Sequence, residues 1–592
     1  MATPRIIVVG GGLAGLAAVI KIAEAGGAVD LFSIVPVKRS HSVCAQGGIN
    51  AAKDLKGEGD TTWKHFDDTI YGGDFLANQA PVKAMCEAAP AIIDLLDRMG
   101  VTFNRTPEGL LDFRRFGGTL YQRTAFAGAT TGQQLLYALD EQVRRYESEG
   151  KVRKFEGWEF LSAVIDSKGV ARGITALDLR TMELRGFPAD AVILATGGIG
   201  AIFGKSTNSV VCTGSAQSAV FQQGVTYANG EFIQVHPTCI PGEDKLRLMS
   251  ESARGEGGRV WVPRTAGDKR PVKQIPAAER FYFLEEWYPK YGNLVPRDIA
   301  TRAIHKVVYE EGLGIDGQPM VYLDLTHIDR ATLDRKLEGI LDIYEKFVGV
   351  DPRDVPMKIF PGVHYTMGGL WVDFNQMTNI PGIFAAGECE YQYHGANRLG
   401  ANSLLSCIYG GFISGPNAMS YARSLPAAEG DGGHAHELVR QAEINTRLLN
   451  NNGKENPFKL WRELGETMTQ YATVIRYNNG LQKADEKIVE LLDRYKNVNL
   501  SDKSQWANTS FAFARQLKNM LELARVIAQG ARLRDESRGA HYKPDFPERN
   551  DEQFLKTTLA SFTGSPEGPR FAYEDVDTQF IQPRRRSYDA AS

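Results

Sequence analysis

The chain opens with a pattern of apolar residues that changes period twice. Residues 5–9, RIIVV, form a short β-branched run. Gly10, Gly12 and Gly15 punctuate the next stretch, and an alanine-rich segment follows and ends at Gly26–Gly27. Residues 28–35 then return to an apolar run. Strand, tight turn, helix and strand in that order predict a βαβ unit opening a parallel sheet. A second apolar run that leads into glycines, AVILATGGIG at 191–200, is expected in the same sheet. From about 237 to 355 the texture becomes charged and amphipathic, as in PRDIATRAIHKVVYEEGL, which fits an inserted domain. Glycine-rich texture returns over 356–420, and PAAEGDGGHAHE (426–437) reads as a linker. Long helical patterns occupy 437–530, and a polar, proline-containing tail from 536 is expected to be extended. No internal repeat is visible.

Length and charge narrow this picture. A chain of 592 residues calls for three or four domains of roughly 100–200 residues each. The net charge of −3, with no basic stripe beyond Arg584–Arg586, disfavours a nucleic-acid partner, which needs many phosphate-neutralising cations. The six cysteines (44, 86, 212, 239, 389, 407) include no C-x-x-C pair. No disulfide framework, metal site or iron–sulfur cluster built by this chain alone is expected, and a reducing compartment fits best. The start, MATPRIIVVGGG, enters a strand without a signal-like region, and no apolar run is long enough to span a membrane.

The candidate chemistry lies in loops. Gly10-x-Gly12-x-x-Gly15 sits between strand and helix, where the first glycine turns the chain and the second admits a pyrophosphate. The third lets helix and strand approach. The ribose partner stays open between Asp30, expected mid-strand, and Ser33 at the strand end. ATGG, with Thr196 and Gly197, is a second place for backbone to meet a cofactor. GIFAAGE with NRLGANSLLS is a third, placing Glu388, Ser403 and Leu404 near it. Three separated segments suit FAD, a long molecule, better than a cofactor on one βαβ unit. Polar clusters supply His236 and Thr238; Ser250, Glu251 and Arg254; Arg297, Asp298 and Arg302; His364; and His394 and Arg398. Cationic and neutral donors predominate, which suits a small anion with more than one carboxylate. His41, in RSHSVCAQGGIN, is a loop residue, a metal ligand or a group aimed at a cofactor.

With RSHSVCAQGG, HPT, SESARGEGG, VPRD, HYTMGG, AAGE and HGANRLGANSLL together, the chain resembles the flavoprotein subunits of succinate dehydrogenase and fumarate reductase along nearly its whole length. TGSAQSAVFQQG and KIFPGVHYTMGGLWVD look closest to the branch found in Gram-positive bacteria such as Bacillus. The resemblance implies an α/β fold: a Rossmann-like FAD-binding domain (1–236 and 356–425), an inserted α+β capping domain (237–355) able to close as a lid, a helical domain (437–535) and a C-terminal mixed or extended segment (536–592). It also implies FAD joined through its 8α-methyl to His41, with Gly47 and Gly48 of the same segment beside it. Arg297 falls on the family's acid/base arginine, fed by Glu251 and Arg254, and His236, Ser250, His364 and Arg398 fall on its substrate groups. The FAD-contacting aspartate of the family's TGDG is Ser215 here. The implied partners are an iron–sulfur subunit and a membrane-anchoring cytochrome b with haem and menaquinone, on the cytoplasmic side of the cell membrane. The implied reaction interconverts succinate and fumarate. L-aspartate oxidase, a soluble fumarate reductase and a silent FAD-binding scaffold are the alternatives; the first two are not expected to carry a histidine like His41.

Overall fold

The computed structural model describes residues 3–242, 245–425 and 433–588. Arg5–Val9 lies at the centre of a five-stranded parallel sheet. Its order is Ile383–Ala385, Ala191–Leu194, Arg5–Val9, Ala28–Ser33, Val152–Glu156. Both faces of such a sheet are covered, which is why Ile6–Val9 and Ala191–Leu194 are apolar at every position and all buried. The second strand stops at Ser33, two residues short of the expected end.

Two glycines of the turn are required by the chain itself. A Cβ on Gly10 (φ +118°) would meet Ala195 O at 2.0 Å, and one on Gly15 would meet Gly10 O at 1.9 Å. Gly12 differs. Its nearest neighbour would be Ser42 Oγ at 3.2 Å, and it borders an open cavity. Helix Leu13–Glu24 then packs along Asn402–Ser424, with Ala14, Ala17 and Ala18 facing Gly411 and Gly415. Small residues on both sides bring the backbones close, so the second helix begins beside that cavity.

The inserted region builds a six-stranded antiparallel sheet. Its order is Arg247–Leu248, Ile233–Ile240, Met357–Thr366, Val321–Asp324, Arg259–Pro263, Arg280–Phe281. The chain leaves along Ile233–Ile240 and returns along its partner, Met357–Thr366, so the two regions join through one paired ribbon. Helix Arg330–Val348 covers the sheet with Leu333, Leu337, Ile340, Leu341 and Tyr344, a stripe at helical spacing. Asp329 caps its start by accepting from Thr332 N at 2.9 Å, and left-handed Gly349 stops it.

Helices His434–Asn450, Pro457–Tyr471, Asn478–Tyr495 and Thr509–Leu533 follow. Helix therefore begins inside the stretch expected as a linker; Glu437 is buried and accepts from Arg440 and Gln441. Residues 426–432 of that stretch lie outside the described residues. The tail corrects its expectation in part. Lys556–Ser561 and Arg570–Asp575 pair as a hairpin and extend a sheet with Tyr227–Ala228 and Gly369–Leu370. Arg586 reaches Asp298 at 2.9 Å. Arg538, His541 and Lys543 near its start are buried, whereas most of the segment beyond is exposed or half-buried.

Candidate active site

A cavity runs along the C-terminal edge of the parallel sheet, where dinucleotides bind in such folds. It is lined by Gly10–Ala14, Ser33, Ser40–Ser42, Thr196, Gly197 and Glu388, among others. Ser33 borders it, whereas Asp30 is engaged by Arg153 in a bidentate pair, 2.7 Å at each contact. Of the two ribose candidates, only Ser33 borders the cavity. Gly12 borders the cavity, and the buried Ser40 Oγ, without a hydrogen-bond partner among the described residues, fits a bound dinucleotide. Ser215 also borders the cavity, but Asn519 Nδ2 donates to its hydroxyl at 2.8 Å. Gly15 lies beneath the turn, outside the lining.

A second cavity adjoins the first through His41, Ser42, Glu388 and Cys407. Gly47, Gly48, His236, Ser250, Glu251, Arg297, His364, Arg398, Ser403 and Leu404 line it. Residues from five distant segments thus converge. Ser403 and Leu404 arrive at the first turn of helix Asn402–Ser424, which the chain enters through Ala401 at φ 64°. That left-handed conformation, rare for a residue with a Cβ, is held by Asn50 N donating to Ala401 O at 3.2 Å. Arg297 opens helix Arg297–His305 directly after Pro296, a residue suited to a helix start. His236 sits where the strand register shifts between His236 and Cys239; a bulge of this kind re-aims a side chain.

Glu251 organises the arginines. Its Oε2 accepts from Arg297 Nε at 2.8 Å and lies 2.7 Å from Arg297 Nη2. Its Oε1 accepts from Gly117 N at 2.6 Å and lies 3.5 Å from Arg254 Nη2. Burial pushes the carboxyl up, but Arg297 and Arg254 outweigh it and hold Glu251 below the usual range, so it is ionised. Arg254 stands behind Glu251, outside the cavity lining, and donates to Asn293 O at 2.6 Å. Arg398 lies 4.3 Å over the Tyr365 ring; burial first, and Arg297 second, lower it to about 9, still cationic near neutrality. Burial, then the arginines, push His236 and His364 well below their ordinary value, so both imidazoles are neutral. His236 Nδ1 lies 3.2 Å from both Thr238 N and Thr238 O, and its Nε2 is buried with no hydrogen-bond partner among the described residues.

His41 faces both cavities. Ser209 N donates to its Nδ1 at 3.2 Å, and its Nε2 lies 3.1 Å from Asn208 Nδ2. Burial, with Lys245 second, lowers it to about 4, so the ring is neutral and keeps a nucleophilic lone pair. Glu388, raised to about 7 by burial, accepts from Thr366 N at 3.1 Å.

Several sequence candidates point elsewhere. Asp298 and Arg302 face away from the cavity, with Asp298 engaged by Arg586, and His394 bonds Ser406 Oγ at 3.0 Å. Other residues were missed. Gln234 and Gly117 contact the arginine cluster, and Thr207, Asn208 and Ser209 contact the histidines. Gln234 carried a signal, being two residues from His236 on the same strand and therefore on its face. The others lie in loops without a periodic pattern.

These features define a FAD-dependent flavoprotein, and residues 5–404 match the FAD binding domain family. Residues 461–588 match the fumarate reductase flavoprotein C-terminal family. The succinate dehydrogenase flavoprotein subunit of Bacillus subtilis is 64% identical over 99% of both chains. The fumarate reductase flavoprotein subunit of Escherichia coli is 34% identical, covering 98% of this chain and 95% of that one. A variant of the Escherichia coli quinol fumarate reductase FrdA superposes with a TM-score of 0.91 at 32% identity, over 99% of this chain and 98% of the other. Sdh1 of Mycobacterium smegmatis in complex with UQ1 gives 0.82 at 30% identity, over 99% and 95%. The chain belongs to the succinate dehydrogenase and fumarate reductase flavoprotein subunit family.

Proposed function

We propose that this chain is the flavoprotein subunit of a succinate:quinone oxidoreductase and interconverts succinate and fumarate. The observation that carries this reading is the charge at the second cavity. Lys245, Arg247, Arg297 and Arg398 line it with one ionised carboxylate, Glu251, and two neutral histidines, and Arg254 stands behind Glu251. Cationic groups outnumber the ionised carboxylate, which matches a dicarboxylate. The glycine turn, Ser33, Thr196, Gly197 and Glu388, with Gly47, Gly48, Ser403 and Leu404, would hold FAD, which would supply the hydride chemistry.

The chain's own groups do the rest. Arg398, His364 and His236 hold the carboxylates, with Ser250 alongside, and favour charge where it builds up in the transition state. Arg297 exchanges the proton at the second methylene carbon. Free arginine is too weak an acid for this, so Glu251 and Arg254 resupply and accept the proton along the contacts that join them. Burial excludes water from that path. The inserted region, joined by the Ile233–Ile240 and Met357–Thr366 ribbon, acts as a lid that completes this enclosure.

His41 carries the covalent link to FAD. Ser209 N–H engages the lone pair of Nδ1, so Nε2 holds the ring proton and would give it up as that nitrogen forms the bond. The electrons then leave through an iron–sulfur subunit and a haem-bearing membrane anchor that uses menaquinone. No helix among the described residues is long and apolar enough to cross a membrane, so those partners hold the chain at the cytoplasmic face.

Two measurements test this. Purified complex should reduce an artificial dye when given succinate; failure with full flavin occupancy rejects the reaction. After acid denaturation the polypeptide band should fluoresce as flavin. His41→Ser should bind FAD releasably and lose succinate oxidation more than fumarate reduction. Flavin released by acid from the unsubstituted chain would reject the link.

A further inference from the structure

One amide oxygen lies between the two arginines that face the second cavity. Arg297 Nη1 donates to Gln234 Oε1 at 3.0 Å, and Arg398 Nη2 donates to the same atom at 3.0 Å. The far end of the amide is also engaged, with Nε2 donating to Asn397 Oδ1 at 2.9 Å and to Arg398 O at 2.8 Å. Gln234 has no exposed surface and lies behind the arginines, outside the cavity lining. Its orientation is dictated by its partners, because turning the amide would set donors against two guanidinium groups.

We propose that Gln234 is the positioning residue of the dicarboxylate site, its carbonyl setting the angle and separation at which Arg297 and Arg398 meet the substrate. This rests on the succinate–fumarate reading above and deepens it. Two buried guanidinium groups repel, and in a low-dielectric site that repulsion is strong. The negative end of an amide dipole placed between them offsets it without removing either charge. Both cations therefore remain available to a dianion. Glu251 and Gln234 together engage Arg297 through Nε, Nη1 and Nη2, which leaves its rotation about the last side-chain bonds fixed. A proton donor must be aimed before it can be efficient. The residue type matters as well. A carboxylate here would accept from both arginines more strongly, cancel one positive charge of the site and stabilise the protonated form of Arg297.

Three substitutions separate positioning from packing. Gln234→Glu should lower kcat about tenfold or more and move the pH dependence of kcat for succinate oxidation to higher pH, since Arg297 must there accept a proton. Gln234→Leu, which leaves the cations without an acceptor, should lower kcat and weaken binding of malonate, an unreactive dicarboxylate, each by about tenfold. Gln234→Asn keeps the amide but is one methylene short, and should fold where the others fail and lower kcat several-fold. All rates are taken per bound flavin. If Gln234 only fills space, the variants will lose thermal stability or flavin while kcat per flavin, malonate affinity and the pH profile stay unchanged; that result overturns the proposal. A wild-type complex that fails to oxidise succinate would instead reject the reaction itself, so the two failures are distinct.

Discussion

Two buried arginine clusters in this chain have opposite designs. Around Glu231 and Glu536, Arg534 uses every donor it has. Nε goes to Glu231, Nη1 to Glu536 and Phe554 O, and Nη2 to Lys556 O and Thr558 Oγ1, all between 2.7 and 2.8 Å. Arg538 likewise binds Glu536, Asp551 and Asp74 O. The cluster at Glu251 is left incomplete. Arg254 Nε and Nη2, Arg398 Nε and His236 Nε2 find no hydrogen-bond partner among the described residues. Desolvated donors without partners are costly, and a fold keeps them where a ligand completes the set. The saturated cluster ties the C-terminal segment to the strand that leads into His236; the unsaturated one awaits an anion. Burial and residue type are alike in both; what separates them is that the arginine donors are all engaged in the first and partly open in the second. Glu231 Oε2 in the first also lacks a partner among the described residues.

The comparison can be broken most sharply at Arg534. Arg534→Met leaves Glu231 buried without its bonded cation and Glu536 with Arg538 alone, a loss of roughly 3–5 kcal/mol. The thermal midpoint should fall by several degrees, with kcat per flavin retained in the fraction that folds. An unchanged midpoint would remove the structural role. Arg297→Lys should do the reverse. Lysine is shorter and cannot keep contacts to both Glu251 and Gln234, so kcat should fall about 100-fold or more while the midpoint moves little. A rise in KM with wild-type kcat would reduce Arg297 to a binding group.

Glu390 sharpens the contrast with the smallest effect, being a buried carboxyl with no cation bonded to it among the described residues. Burial raises it to about 8, so the native state holds a proton that the unfolded chain releases near the ordinary carboxylate value. Between those two values the native state binds more protons than the unfolded one. This contribution to stability is therefore full below about pH 4 and lost as pH rises through about 8. Glu390→Gln should flatten the fall in thermal midpoint between pH 5 and pH 8. An unaltered slope would assign that fall to other groups.

Much of this was legible in the chain. The parallel sheet was readable because RIIVV and AVIL are buried on both faces and so lack alternation. Gly10 and Gly15 were readable because the turn tolerates no Cβ. The tail's burial was not legible. Arg538 and His541 look solvated in a linear pattern, yet each is buried and reaches a distant partner, Arg538 to Asp74 O and His541 to Arg476.

By itself, then, the sequence determined the βαβ start and the family, and singled out the histidines, arginines and carboxylates that the structure brings to one cavity, because local period and residue type are written along the chain. Only the tertiary structure decided how they are used. It set Ser33 rather than Asp30 beside the cavity, turned Asp298 toward Arg586, and placed Gln234 between Arg297 and Arg398. Each of those outcomes depends on contacts between segments separated by tens to hundreds of residues. A hydrogen bond is decided by distance and direction in space, which spacing along the chain does not specify.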